Sequence, residues 1–180
     1  GSTNEHCAGL RFAESSLVAV TVPMGPEHTE CWTAPHECQN EDLSDPLWLE
    51  IKNQRARIES QTIGSYLPQD LDYDCNGTVT FTKGCYTGQE IVARLHYRGT
   101  PKRRLHRAET AAPVVAGDTL VNADGKTVGS IVNHCLQDQT RELLIELIPE
   151  AAAESITLKG GHGELSQVTR CHDDKDQSTG

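Results

Sequence analysis

No stretch of this 180-residue chain stays apolar for long enough to cross a bilayer. Its start lacks a basic segment followed by an apolar one, so no secretory signal is expected. A cytoplasmic location of the bacterial type follows, or the mitochondrial matrix if the source is eukaryotic. Gly1-Ser2 reads as a tag remnant, with the native start lost. No pair of the seven cysteines is spaced C-x-x-C, which excludes a zinc ribbon and a thioredoxin-type motif. An odd number of cysteines without an export signal favours free thiols over a disulfide framework. His28 with Cys31 and His36 with Cys38 are the nearest things to metal-ligand pairs, and no metal site is expected. No internal repeat stands out. Positive charge is scarce: 16 Lys and Arg stand against 26 Asp and Glu, a formal net charge of −10. Such an acidic surface repels phosphate and excludes a general nucleic-acid coat protein.

The scarce cations are unevenly spread. Six of the sixteen, namely Arg94, Arg98, Lys102, Arg103, Arg104 and Arg107, fall within one run that no acidic residue interrupts. Helical spacing puts Arg94 and Arg98 on one side. In an acidic chain this run suits a polyanion, either RNA phosphates or a polyglutamate tail; the alternative is a solvated face.

Immediately before that run stands Lys83-Gly84-Cys85-Tyr86-Thr87-Gly88-Gln89-Glu90. Thr87 and Glu90 have the spacing of a capping box. Ile91, Val92 and Leu95 then share one face of a helix that Gly99 and Pro101 close. Cys85 is thus expected just ahead of a helix N-terminus, where the dipole and the Lys83 ammonium favour thiolate over thiol. Such a position makes a sulfur reactive or binds an anion.

The rest of the chain reads as α+β. Residues 16–22 are rich in β-branched residues and predict a strand ended by Pro23, and residues 23–46 read as loop. Asp45-Pro46 opens a predicted helix over 47–60, with Leu47, Trp48, Ile51 and Ile58 as an incomplete apolar face that must pack on something else. Asn76-Gly77 turns into Thr78–Thr82, which alternates like a strand delivering the cysteine loop. Beyond Pro101 short strands are predicted at 104–109, 118–122, 127–133, 142–148, 155–158 and 164–170, enough for a small antiparallel barrel. The implied division is residues 1–99, residues 100–171 for the barrel, and a polar tail over 172–180 expected to be disordered.

The stretch K-G-C-Y-T-G-Q-E resembles the signature of the YgfZ family of folate-binding proteins, relatives of the aminomethyltransferase (T-protein) of glycine cleavage. Ile91 to Arg94, Tyr97-Arg98-Gly99 and Lys102-Arg103 look like its continuation. Leu67-Pro68-Gln69 and Arg57-Ile58-Glu59 are similar to two further landmarks. The resemblance implies a partial T-protein-like folate-binding α/β domain over 1–99, followed by the barrel. It implies tetrahydrofolate as cofactor, held by Arg57, Glu59, Tyr86, Gln89 and Glu90, with Cys85 and Lys83 carrying any chemistry. A carboxylate such as that of Glu59 pairs well with the adjacent N–H donors of a pterin. The implied function is a folate-dependent accessory role in iron–sulfur cluster assembly or repair, which indirectly supports tRNA modification. Its partners would then be iron–sulfur enzymes or cluster-assembly proteins. Two alternatives remain: a folate-dependent aminomethyl transferase, and a non-catalytic tRNA-binding module using Arg94, Arg98, Lys102, Arg103 and Arg104. YgfZ-like chains carry most of a folate domain ahead of the helix at Leu47. This chain is therefore expected either to be a fragment or to complete its sheet through a second copy.

Overall fold

Strand-forming residues in the second half of the chain build one antiparallel sheet, and the helix and turns over residues 46–71 are laid against its outside. The computed structural model describes residues 10–12, 18–25, 28–32, 46–82, 84, 87–161 and 163–172, with side chains from Leu47 onward. In the first half, β1 (Leu10–Phe12), β2 (Val18–Gly25) and β3 (His28–Trp32) form a small antiparallel sheet in that order. The strand expected to stop at Pro23 runs on to Gly25, with a register shift between those two residues. A bulge is where a strand tolerates proline, because the ladder there does not need its missing N–H. Part of the expected loop is thus the strand β3. β2 is the central strand of the three, flanked on both sides by β1 and β3.

The helix α1 is short, Pro46–Lys52 rather than 47–60. The Asn53 side chain donates to the Leu49 carbonyl, and Gln54 turns left-handed at φ 56°. That local bond competes with helix continuation. Residues 55–59 leave in non-helical form and meet the larger sheet through Asn133. Its Oδ1 accepts the Arg57 N–H at 2.8 Å, and its Nδ2 donates to the Arg57 carbonyl at 3.0 Å. One side-chain amide thus reproduces a strand's pair of ladder bonds.

Two 3-10 turns, Ser60–Thr62 and Pro68–Leu71, lead towards the signature stretch. The strand expected at Thr78–Thr82 is absent; those residues form bends. Thr78 N–H is taken by Asn76 Oδ1 and the Thr80 and Thr82 hydroxyls bond each other, local partners that replace a ladder. The helix α2 (Gln89–Arg98) follows.

The larger sheet contains β4 (Arg104–Thr110), β5 (Thr119–Asn122), β6 (Thr127–Gln137), β7 (Thr140–Leu147), β8 (Ile156–Leu158) and β9 (Ser166–Arg170). Its order is β8-β5-β6-β7-β4-β9, antiparallel throughout. A bridge between Thr157 and Glu164 sets β8 against the residues leading into β9, so the sheet curls into a six-stranded half-barrel. The six strands expected beyond Pro101 are all present, and β6 extends past Asn133 to Gln137. Residues 142–148, ambiguous by propensity, are strand: Leu143, Ile145 and Leu147 point into the half-barrel with Leu120, Ile131 and Ile156. Leu144 points the other way. It joins Leu105, Val132 and Cys135 in a second core, capped by Ile51 of α1 with Leu47 and Trp48. The surface that α1 needed is therefore the outer wall of the half-barrel, and Ile58 stays outside at 42% exposure. Among the described residues no helix is long and apolar enough to cross a membrane.

Candidate functional site

Of the signature stretch, Gly84, Thr87, Gly88, Gln89 and Glu90 are described, and Lys83, Cys85 and Tyr86 lie outside the described residues. Gly88 is the N-cap of α2 at φ 88°, a left-handed conformation that a side chain disfavours, and no side chain caps the helix. The capping box expected from Thr87 and Glu90 is therefore corrected: the backbone turn at Gly88 starts the helix instead. Gln89 is half-buried and Glu90 is exposed. Val92 is buried, but Ile91, expected beside it, is 63% exposed. The helix is anchored from the preceding turn, where the fully buried Gln69 donates Nε2–H to the Val92 carbonyl at 2.7 Å. Gln69 belongs to the Leu67-Pro68-Gln69 landmark, so that landmark has a positional task here.

Arg57 and Glu59 are brought together by Asn133. Its Nδ2 also donates to Glu59 Oε1 at 2.7 Å, fixing a half-buried carboxylate whose oxygens accept further hydrogen bonds. Arg57 is exposed and its Nε sits 3.5 Å from Glu50. The Glu59 carboxylate is an acceptor, and that chemistry suits a ligand that offers adjacent N–H groups. Asn133, 74 residues from Glu59, carried no sequence signal.

The basic run divides in two. Arg94, Arg98 and Lys102 are exposed. Arg104 is buried and paired inward, its Nη1 lying 2.9 and 3.1 Å from the two Asp74 oxygens and 3.2 Å from the Gln69 carbonyl. Arg103 bonds Glu146 at 2.9 Å and Arg107 bonds Glu142 at 2.8 Å. The expectation of a continuous outward cationic face is thus corrected for Arg103 and Arg104. Carboxylates far away in sequence take them up, Arg104 in the interior and Arg103 at its half-exposed edge.

Two acidic centres escaped the sequence. Asp72 is fully buried and accepts from the Leu105 N–H, from Arg170 and from His172, with Arg104 at 3.6 Å. Glu146 is 2% exposed, accepts from Arg103 and Ser130, and keeps its second oxygen buried without a hydrogen bond. Burial first, with Asp70 adding to it, pushes its carboxyl up to about 7 against the pull of Arg103 and Ser130.

Cys75 and Cys135 are buried and Cys171 is half-buried. Burial, reinforced by Asp72, pushes the Cys171 thiol up to about 12. A thiol of that kind holds its proton at neutral pH and is a poor nucleophile. Brief, limiting iodoacetamide treatment near neutral pH should leave these three unlabelled in the folded chain while Cys85 takes label. Peptide mass spectrometry that found Cys135 or Cys171 alkylated ahead of Cys85 would reverse that expectation.

No family model matches the chain. Curated proteins do. A tRNA-modifying protein YgfZ from Sodalis glossinidius is 30% identical over 126 residues, which is 67% of this chain and 38% of the relative. That from Aliivibrio fischeri (strain MJ11) is 31% identical over 114 residues, 61% of this chain and 36% of the relative. The protein of the same name from Edwardsiella ictaluri is 42% identical over 64 residues, 36% of this chain and 19% of the relative. This chain belongs to the YgfZ family. It spans less than two fifths of the length of each of these YgfZ relatives. Within this YgfZ chain the signature stretch leads directly into α2, with Gly88 as the hinge of entry and Gln69 as the anchor behind it.

Proposed function

We propose that this chain is part of a YgfZ-type accessory factor in tRNA modification that binds tetrahydrofolate and acts through Cys85. The observation that carries the reading is the K-G-C-Y-T-G-Q-E stretch set against the left-handed N-cap of α2, in a chain whose relatives are named tRNA-modifying proteins. Such a helix start suits a thiolate or another anion. Lys83 supplies a neighbouring cation. Tetrahydrofolate, when bound, supplies a one-carbon carrier. Glu59, oriented by Asn133, would take the pterin's adjacent N–H donors, with Arg57, Tyr86, Gln89 and Glu90 completing the contact. Residues 1–99 are, in this proposal, part of a T-protein-like folate domain. The role itself is support of iron–sulfur cluster assembly or repair, on which tRNA thiolation enzymes depend.

Calorimetry with tetrahydrofolate tests the ligand. The chain should bind, and Glu59→Ala should weaken binding about tenfold or more, the scale of a charge-assisted hydrogen bond. Equal affinity in the variant would remove Glu59 from the site, and no heat with the wild-type chain would remove folate from the proposal for this chain.

A second reading, an RNA-binding module without catalysis, is favoured by one observation. The three cations left facing solvent lie on or next to a single helix.

A further inference from the structure

The exposed face of α2 combines cations with an aromatic ring held in a fixed pose. Along this helix Ile91, Arg94, Tyr97 and Arg98 are all exposed. A turn of 100° per residue sets Arg94 between Tyr97 and Arg98 on that face. Glu90 stands on it too, one turn before Arg94, and offsets part of the charge. Lys102 is exposed just past the helix end at Gly99.

Tyr97 is 68% exposed, a high value for a tyrosine, yet it is not loose. Its ring meets His96 edge-on with centroids 4.8 Å apart, and Phe81 edge-on at 6.1 Å. Phe81 and His96 are stacked face to face at 3.6 Å, so the brace behind Tyr97 is itself a packed pair. Phe81 lies in the bends before the signature stretch, which ties this cluster to that loop.

A braced, exposed ring has already lost much of the rotamer entropy that binding would otherwise cost. The ring offers a π-face, and the arginines offer donors that match phosphate. These are the parts with which proteins hold single-stranded nucleic acid: bases stack on aromatic rings while cations track the backbone. Double-stranded RNA keeps its bases stacked inside and offers no free face to Tyr97. The whole chain carries a net charge of −10, so the surface outside this face repels a polyanion and confines its approach to these cations.

We propose that the exposed face of α2 docks single-stranded RNA, an unpaired base stacking on Tyr97 while Arg94, Arg98 and Lys102 hold the flanking phosphates. The proposal rests on the tRNA reading above and names the surface that would serve it.

Fluorescence anisotropy with a short labelled single-stranded RNA, with the same RNA annealed to its complement, and with polyglutamate tests it. Tyr97→Ala should weaken single-strand binding by about 5- to 150-fold, the range that base stacking on an aromatic ring carries. Tyr97→Phe, which keeps the ring, should restore it. The double variant Arg94→Ala and Arg98→Ala should weaken binding and flatten the slope of log K against log salt by about 1.4. Duplex RNA and polyglutamate should bind more weakly than the single strand. An unchanged affinity in Tyr97→Ala, or a tie with duplex or polyglutamate, overturns the proposal. So does a wild-type chain that binds no RNA. Tetrahydrofolate calorimetry on Tyr97→Ala separates this failure from that of the broader reading. Folate heat retained beside unaltered RNA binding sinks the Tyr97 surface alone, whereas loss of folate and RNA binding in the wild-type chain sinks both.

Discussion

Asp72→Ala should cost the folded chain about 3–5 kcal/mol, the usual penalty for removing one partner from a buried ion pair. Asp72 has no exposed surface, and its carboxylate gathers the Leu105 N–H, Arg170, His172 and, more distantly, Arg104. These partners come from β4, β9 and the residues just after it, while Asp72 itself ends the Pro68–Leu71 turn. One carboxylate therefore joins the loop before α2 to two strands of the half-barrel. Asp72 also stands at φ 55°, a left-handed conformation that Asp and Asn tolerate better than Ala does. Asp72→Asn keeps that tolerance and an acceptor for Leu105, so it should lose less. Since domains of this kind are stable by about 5–15 kcal/mol in all, the alanine variant should approach the edge of folding. Urea unfolding monitored by circular dichroism should show a lowered midpoint with an unchanged slope. A loss below about 1 kcal/mol would mean that the cluster behaves like a surface pair.

Glu146→Gln should stabilise the chain at pH 8 by roughly 3 kcal/mol, and by less than about 1 kcal/mol at pH 5. The Glu146 carboxyl is raised from 4.5 to about 7 because burial opposes its charge. Between those values the folded chain holds a proton that the unfolded chain has released. The ionised form is therefore a burden, and Glu146 makes stability fall as pH rises from about 4.5 through about 7. Gln mimics the neutral acid and removes that fall. His106 acts in the opposite direction. Burial lowers its pKa, so stability is lost as pH falls through the ordinary histidine range and below. Comparing wild type and variant at each pH cancels the His106 contribution. Two parallel curves across pH 5–8 would show that Glu146 is ionised throughout, held by Arg103.

Local pattern and tertiary placement divide the credit for this structure. The period-2 alternation of residues 104–170 and the Asp124-Gly125 turn are readable without the fold, because a strand's two faces and a hairpin's turn are set by neighbours in sequence. So is the signature stretch, whose glycines and helix start lie within a few residues of one another. The end of α1 was less legible, since Asn53 and Gln54 look helix-compatible until a side-chain bond and a left-handed turn stop it. The run Arg94 to Arg107 read as one cationic face, yet the fold split it. Arg94 and Arg98 share the outer side of a helix, while Arg103, Arg104 and Arg107 meet Glu146, Asp74 and Glu142, which lie 43, 30 and 35 residues away. No window of sequence reports which carboxylate a guanidinium will find, because that pairing is made when β4 and β7 align and the loop folds over them. The same holds for Glu146, an ordinary strand residue by pattern whose raised pKa exists only because the folded half-barrel buries it. The sequence by itself determined the six strands beyond Pro101 and the helix α2, which depend on short-range geometry. Tertiary structure alone decided which charges are spent inside and which face outward, because burial and ion pairing join residues that the chain holds far apart.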